Sequence, residues 1–342
     1  MLVAKVKLKE AEKIKKILLE KKILIKGVKP EKDFEYIYFP VSEKIDLKNV
    51  SYLDKELEKK EKITDYRELL NFTIEKKQRL PSSYDIIGDI IIIELKGYTK
   101  KEEIDIAKAL LKINKNIKTI LKKSGIFEGE FRTRKLSFVY GENKKETIHK
   151  ENNVKIKLDV EKVYFSPRLS TERKRIYEQI KKPETILVMF SGSGVYPIVI
   201  SKNTIAKNII AIEKNEIAHK YALENQKINK TENILFINGD VKTEIPKLAS
   251  KKIYFDRILM PLPKGAENFL DLAFLVSKKN TIIHFYDFEQ ETEIYKSEEK
   301  IKNAINNYNK KIHYEIKKIV KCGQYSPGKY RICVDFEIKN MY

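Results

Sequence analysis

Apolar positions along this chain change their period between segments, and the changes outline its organisation. Val6 to Lys21 carries apolar residues at helical spacing and is followed by short apolar runs at Ile23–Ile25 and Tyr36–Pro40, a pattern that predicts a small α/β unit. Asp54–Arg67 is dense in charge and poor in large apolar groups, which reads as a linker or an exposed helix and puts a boundary near residue 60. Tyr84–Leu95 (YDIIGDIIIIEL) is strand-like, and Lys101–Lys122 is helix-like through Ile104, Ala107, Leu110, Leu111 and Ile113. Strand patterning resumes at Gly129–Tyr140 and Val154–Val163, so a second α+β unit is expected.

From Lys162 onward the pattern becomes regular. Strand candidates at Ile186–Phe190, Asn208–Ile212, Ile234–Ile237, Asp256–Met260 and Thr281–Tyr286 alternate with helical segments, as a parallel sheet with crossover helices requires. Ile312–Val320 and Tyr330–Ile338 are joined instead by a turn at Ser326-Pro327-Gly328, which predicts a closing antiparallel hairpin. A chain of 342 residues exceeds one usual core, consistent with two or three domains. No apolar stretch approaches the roughly 20 residues of a membrane span, and the charged N-terminus reads as a helix rather than a signal peptide. The expectation is a cytoplasmic protein with no membrane association. Cys322 and Cys333 have neither metal spacing nor a disulfide framework pattern, so reduced thiols in or beside strands are expected.

The most informative local feature is Ile186–Phe190 running into Ser191-Gly192-Ser193-Gly194, with Glu213 closing the next apolar run. Glycines just after a buried parallel strand let the backbone turn tightly and approach a ligand, and an acid at the tip of the second strand can accept hydrogen bonds from ribose hydroxyls. Pro197 stands where a dinucleotide fingerprint needs its third glycine, so a pyrophosphate has no seat and S-adenosylmethionine fits better. Asp240 and Met260-Pro261-Leu262-Pro263 fall at the carboxyl ends of further strand candidates. Asp240 with the backbone of Val241 could read an adenine edge, and the proline turn offers carbonyls to the methionine amine or the target base. Taken singly, Glu213 and Asp240 could equally be helix N-caps or exposed loop acids.

The net charge is +21, from 70 Lys and Arg against 49 Asp and Glu, which favours a polyanionic partner. Residues 111–150 concentrate the excess, with eleven Lys or Arg against four acids and with Phe127, Phe131, Phe138 and Tyr140 interleaved. Cations that hold phosphates beside rings that stack on splayed bases are a common way of binding single-stranded RNA loops. A solvated strand face with core aromatics is the alternative.

Four segments, Gly129–Leu136 (GEFRTRKL), Gly141–Asn152 (GENKKETIHKEN), Lys162–Ile176 (KVYFSPRLSTERKRI) and Asp256–Asp271 (DRILMPLPKGAENFLD), resemble the archaeal and eukaryotic tRNA guanine-37 N1-methyltransferases. The resemblance implies an α/β fold, with a class I (Rossmann-like) methyltransferase domain whose mostly parallel seven-stranded sheet ends in an antiparallel hairpin, preceded by two smaller α+β domains. The expected division is 1–60 for tRNA recognition, 61–160 for an RNA-binding α+β domain and 161–342 for the S-adenosylmethionine-dependent domain. Guanine N1 carries a proton at neutral pH, so its methylation needs a base at N1 and a donor at O6. By resemblance Glu172 is that base and Arg132 the O6 donor; an ion pair between the two is the structural alternative.

The resemblance further assigns Tyr164, Arg168, Phe190, Gly192, Gly194, Glu213, Asp240, Val241, Pro261 and Pro263 to S-adenosylmethionine, and Arg132, Arg134, Phe165, Lys264 and Lys321 to RNA. No metal is required. A monomer contacting the tRNA at its anticodon loop and elbow is expected. His149 and His284 read as hydrogen-bonded structural residues, and His219 and His313 as surface ones. Two positions depart from the family pattern, because Val188 replaces an acid before the glycine loop and Pro261 replaces an Asn. Sister enzymes that build the wyosine base, by C7-methylation or aminocarboxypropyl transfer, share the architecture, and a non-catalytic tRNA binder is a further alternative. Affinity for tRNA, measured by filter binding across ionic strength, should fall steeply as salt rises; a flat profile would contradict the polyanion reading.

Overall fold

In the computed structural model, which describes residues 1–25, 27–57, 65–125, 129–262 and 264–342, the opening LVAKVK segment is a strand and not part of a helix. Its Val3, Ala4 and Val6 are buried in β1 (Leu2–Lys7), and the helix α1 starts only at Ala11 and ends at Glu20. With β2 (Glu31–Lys32), β3 (Tyr36–Pro40) and β4 (Val50–Asp54), β1 forms an antiparallel sheet of order β2-β3-β1-β4. Ile14 and Leu18 of α1 pack with Ala4, Val6 and Phe39. This unit spans Met1–Asn71, and a second unit spans Phe72–Tyr342. The boundary expected near residue 60 lies outside the described residues.

The second unit begins with α2 (Ile74–Gln78), β5 (Asp85–Ile87), β6 (Ile90–Ile93), α3 (Lys100–Ile113), β7 (Thr119–Lys123) and β8 (Leu136–Gly141). These strands form a sheet of order β5-β6-β7-β8 in which only β6 and β7 are parallel, linked by α3. Thr99 and Glu102 cap α3 reciprocally. The helix predicted over Lys101–Lys122 is therefore nine residues too long at its C-terminus (122 against 113). Asn114, whose side chain bonds back to the Leu110 carbonyl, terminates it, and the β-branched Thr119 and Ile120 enter the sheet. β9 (Glu146–Glu151) and β10 (Val154–Asp159) pair as a hairpin through Asn152 and Asn153, both in the left-handed region that such a two-residue turn demands.

The remainder comprises α4 (Ser170–Tyr177), β11 (Thr185–Val188), α5 (Val195–Asn203), β12 (Asn208–Glu213), α6 (Glu216–Asn229), β13 (Ile234–Asn238), α7 (Val241–Ser250), β14 (Phe255–Met260), α8 (Leu270–Leu275), β15 (Ser277–Gln290), α9 (Tyr295–Asn306), β16 (Ile312–Ser326) and β17 (Lys329–Met341). The sheet order is β13-β12-β11-β14-β15-β17-β16. Neighbours are parallel from β13 to β15, and the β16–β17 hairpin is antiparallel, as the pattern predicted. Alternation along β11 sorts its side chains to two cores: Ile186 and Val188 pack with Ile198, Val199 and Ala222, while Leu187 and Met189 pack with Val241, Ile245 and Phe274. The chain leaves β11 towards β12 and β13 and returns to β14 on the other side. The crevice at the carboxyl ends of β11 and β14 is thus the topological switch point, where ligands bind in such sheets.

A line of buried charge crosses four adjacent strands. Glu184, just before β11, holds Arg257 of β14 at 2.7 and 3.2 Å; Arg257 meets His284 of β15 at 2.7 Å; His284 meets Asp335 of β17 at 2.6 Å. Asp335 receives Arg175 of α4, which also grips Glu172 through two bonds of 2.7 and 2.8 Å. Burial works against ionisation of Asp335, but His284 and Arg175 hold its carboxyl below the usual range. Burial lowers the pKa of His284. His149 accepts from the Gly88 N–H at 3.3 Å, so both histidines are structural as expected. His313 is exposed, whereas His219 is half-buried. Cys322 and Cys333 are free, in β16 and β17.

Gly194 caps α5 at φ +80°, and a Cβ there would stand 2.9 Å from Phe236 Cζ and 3.1 Å from Ala222 Cβ. Pro197 sits in the first turn of α5, where a missing N–H costs nothing. Replacing Gly194 with Ala should destabilise the domain by about 1–3 kcal/mol, read as a lowered urea midpoint.

Candidate active site

The glycine loop opens onto a cavity of about 260 Å³ at the switch point, walled by Phe190, Gly192, Glu213, Asp240, Val241, Pro261 and Phe269, with Arg132 and Tyr164 across from them. Phe190 adopts φ +58°, as does Gly192, which swings the chain out of β11 and brings the Gly192 N–H to Glu213 Oε2 at 2.6 Å. The Asn215 N–H donates to Oε1 at 2.7 Å, so Glu213 is fixed at the tip of β12 by backbone. Burial outweighs these hydrogen bonds and pushes its carboxyl above the usual range. Asp240 is the N-cap of α7, accepting from the Lys242 N–H at 2.9 Å, and also takes Lys214 at 3.0 Å. The capping and pocket-lining readings of Asp240 are therefore both true.

A smaller cavity, about 60 Å³, continues from the first between the glycine loop and Pro261 and is lined by Tyr164, Phe190, Gly192, Tyr196, Tyr286 and Arg331 among others. Ser191 and Ser193 wall it, and their buried hydroxyls find no hydrogen-bond partner among the described residues. Orphaned buried hydroxyls are costly without a partner, so this end of the crevice is built for a polar ligand group. An acid at the ribose position, a backbone-lined turn and unsatisfied hydroxyls beyond it fit S-adenosylmethionine, with its adenosine in the larger cavity and its amino-acid end by the serines. Val188 is fully buried against the α5 and α6 side of the sheet and reaches neither cavity, so β11 contributes no charged contact there.

On the other side of Tyr164 and Arg132 lies a third cavity of about 200 Å³, whose walls carry Lys123, Arg132, Arg134, Arg168 and Arg331 against Asp85. Burial, and for Lys123 the neighbouring Arg134, push the pKa values of Lys123 and Arg134 below their usual ranges. Arg168 donates to Asp85 at 2.7 Å and lines this basic cavity, not the cofactor crevice to which resemblance assigned it. Arg132 stands between the two, its guanidinium 5.4 Å from the rings of both Tyr164 and Phe288, and its buried Nη1 makes no hydrogen bond among the described residues. The ion pair between Glu172 and Arg132 does not form. Glu172 is instead held by Arg175 and by the Tyr286 hydroxyl, which donates to Oε1 at 2.7 Å.

The remaining assignments divide. Phe165 packs against His149 at 5.1 Å and under Arg173, and lines both the basic and the small cavity. Gly194 lines none of these three cavities; it closes the turn against Phe236 and Ala222. Lys321 is paired with Glu291 at 2.5 Å, and Lys264 is exposed. Pro263 and Phe127 lie outside the described residues. Sequence reasoning missed Arg331, which donates to the Tyr164 hydroxyl at 2.6 Å, together with Phe288 and Tyr286. Their signal was faint, because the long strands β15 and β17 read as core and nothing local marks which of their residues end in the crevice.

Fold and site together define a class I S-adenosylmethionine-dependent methyltransferase. Residues 147–317 match the TRM5/TYW2 methyltransferase domain, residues 66–144 the TYW2 N-terminal domain and residues 4–48 the tRNA methyltransferase 5 N-terminal domain. The chain belongs to the TRM5/TYW2 methyltransferase family. It is 38% identical to the tRNA (guanine(37)-N(1))-methyltransferase Trm5b of Pyrococcus abyssi, over 98% of this chain and 99% of that one, and superposes on that protein's crystal structure with a TM-score of 0.74. A solved complex of aTrm5 with tRNALeu matches at 31% identity and a TM-score of 0.71, over 99% of this chain and 100% of that one. The tRNA (guanine(37)-N(1))/4-demethylwyosine(37)-methyltransferase Taw22 of Nanoarchaeum equitans is 34% identical over 74% of this chain and 98% of its own length. Among the described residues no helix is long and apolar enough to cross a membrane.

Replacing Glu213 with Ala should weaken S-adenosylmethionine binding about 10- to 100-fold in a calorimetric titration, the loss of charge-assisted hydrogen bonds at the ribose.

Proposed function

We propose that this chain transfers the methyl group of S-adenosylmethionine to N1 of guanosine 37 in tRNA. The observation that carries this reading is the joining of a cofactor-shaped crevice to a cation-lined cavity through Arg132 and Tyr164. When bound, the cofactor supplies an electrophilic methyl group on a sulfonium. Glu213 holds the ribose, Asp240 and Val241 face the adenine edge, and Phe190, Gly192 and Pro261 line the rest of the crevice. The target nucleotide enters from the basic cavity, where Arg134 and Lys123 meet its phosphates. Arg132, with an unpaired buried donor, faces guanine O6 and stabilises the charge that gathers there as N1 loses its proton. Glu172 is the final acceptor of that proton.

The protein acts as a cytoplasmic monomer, with residues 1–60 meeting the tRNA elbow and residues 61–160 and 161–342 gripping the anticodon loop. One observation favours a second reading, C7-methylation of a tricyclic wyosine precursor at nucleotide 37. Pro261 stands at the crevice where an Asn is expected, which removes a hydrogen-bonding group from the wall nearest the base.

Mass analysis of nucleosides from an unmodified transcript should show 1-methylguanosine, absent when guanosine 37 is replaced by adenosine; a product found only on wyosine-precursor tRNA would favour the second reading. Glu172→Gln and Arg132→Ala should each lower the single-turnover rate about 10²- to 10⁴-fold while cofactor affinity is kept.

A further inference from the structure

The side chain expected to accept the N1 proton does not line the crevice. Glu172 is 4% exposed, and its carboxylate is fully engaged, with Oε2 taken by Arg175 Nε and Oε1 shared by Arg175 Nη2 and the Tyr286 hydroxyl. Tyr286 and Tyr196 both line the small cavity at the end of the glycine loop, next to Pro261, Gly192 and Arg331. Tyr286, reaching from β15, lies between that cavity and the carboxylate: it donates to Glu172 at 2.7 Å and accepts from the Tyr196 hydroxyl at 3.0 Å. Its ring is held at a T-shaped angle against Tyr196, 6.2 Å between centroids, which leaves the hydroxyl little freedom.

We propose that Tyr286 is a catalytic residue, the relay through which the N1 proton of the target guanine reaches Glu172. This rests on the guanine-methylation reading above. As the N1–H bond breaks, its proton passes to Tyr286 Oη, and the proton already on that hydroxyl passes to Glu172 Oε1. The freed N1 electron pair forms the bond to the methyl carbon, and the carbon–sulfur pair returns to sulfur. Glu172 ends as a neutral acid, the sulfonium ends as a neutral sulfide, and Tyr286 ends as it began. No buried charge is left uncompensated.

Three features of the surroundings suit a relay. Burial first, then the neighbouring Cys333, Tyr196 and Glu172, push the Tyr286 phenol well above its ordinary range, so at rest it is a hydroxyl that donates and accepts and not a phenolate. Tyr196 occupies one acceptor site of that hydroxyl and the other remains for an incoming N–H. Arg175 is tied on its far side to Asp335, so it retains a carboxylate partner when Glu172 is neutralised.

The test compares Tyr286→Phe with Tyr295→Phe, a surface control, in the full chain. Tyr286→Phe keeps the ring and its packing, so cofactor and tRNA affinities should stay at wild-type values while the single-turnover rate falls about 10²-fold or more. Tyr295→Phe removes a phenol hydroxyl from an exposed position on α9 that lines none of the three cavities, and should retain the rate within a few-fold. A proton inventory in mixed light and heavy water should show two protons in flight in the wild type and in Tyr295→Phe. If Tyr286→Phe fails to fold, 3-fluorotyrosine placed at 286 preserves the packing and should shift the rate. A wild-type rate in either position-286 variant, beside an active wild type, overturns the relay alone; a wild-type enzyme that leaves guanosine 37 unmethylated overturns the relay and the reading on which it rests.

Discussion

Arg175 serves two masters, and the active site depends on the division. One guanidinium binds Glu172 within its own helix and Asp335 on β17, and through Asp335 it is coupled to His284, Arg257 and Glu184 across four neighbouring strands. Removing one partner from such a buried set strands a charge, at a cost of about 3–5 kcal/mol, whereas the intact set alternates in sign and satisfies its own donors. The ladder therefore locks α4 to the sheet in one register. Because Glu172 and Arg173 lie on that helix, the same lock sets where the Glu172 carboxylate stands and where Arg173 reaches Glu151 of β9, with both members of that pair almost fully buried. In this way the hairpin β9–β10 and the methyltransferase sheet share a single arrangement.

Against that fixed frame the crevice is assembled from chain ends. The strands deliver Phe190, Glu213, Asp240 and Pro261 to one edge of the sheet because all leave their strands at the same end, a consequence of parallel pairing and not of any local motif. The opposite wall comes from Arg132, which lies between β7 and β8 in sequence, and from Tyr164, between β10 and α4. Two arginines, Arg132 and Arg331, approach the same Phe288 ring at 5.4 and 5.1 Å, so the border between the cofactor crevice and the basic cavity is a stack of cations and rings.

Much of the methyltransferase domain was legible because its strands are continuous apolar runs that end at sharp turns. Periodicity located all seven strands of that sheet to within a few residues at most ends, and the glycine loop and Glu213 were read correctly as neighbours. Where reading failed, a tertiary effect overrode a local one. The segment 2–7 runs directly into a helical pattern and was grouped with it, yet Lys5 and Lys7 alternate with buried Ala4 and Val6, and pairing with β3 and β4 makes it a strand. Lys115–Lys122 continues a helical count past Asn114, but β6 offers a parallel partner and the chain takes it. In the site the pattern was the same. Residues in motifs, such as Arg132 and Tyr164, could be found, while Tyr286 and Arg331, which act only because β15 and β17 bring them beside α4, could not.

The two departures from family pattern acquire a common physical sense once the crevice is seen. Val188 lies fully buried in an apolar layer between the sheet and α5 and α6, where a carboxylate would need a cation that no neighbour in that layer supplies. The polar groups at the glycine-loop end of the crevice are instead the buried hydroxyls of Ser191 and Ser193, which are neutral and without hydrogen-bond partners among the described residues. Pro261 likewise removes a side-chain donor from the wall opposite them, and the Leu262 N–H is spent on the Met260 carbonyl. The inner end of the crevice thus offers neutral hydroxyls and fixed rings beside Arg331, while Glu213, Asp240, Lys214 and Arg132 place their charges around the larger cavity. In the proposed reaction Arg132 supplies the charge at O6, and the proton path through Tyr286 is the element that distinguishes one nitrogen of the base from another.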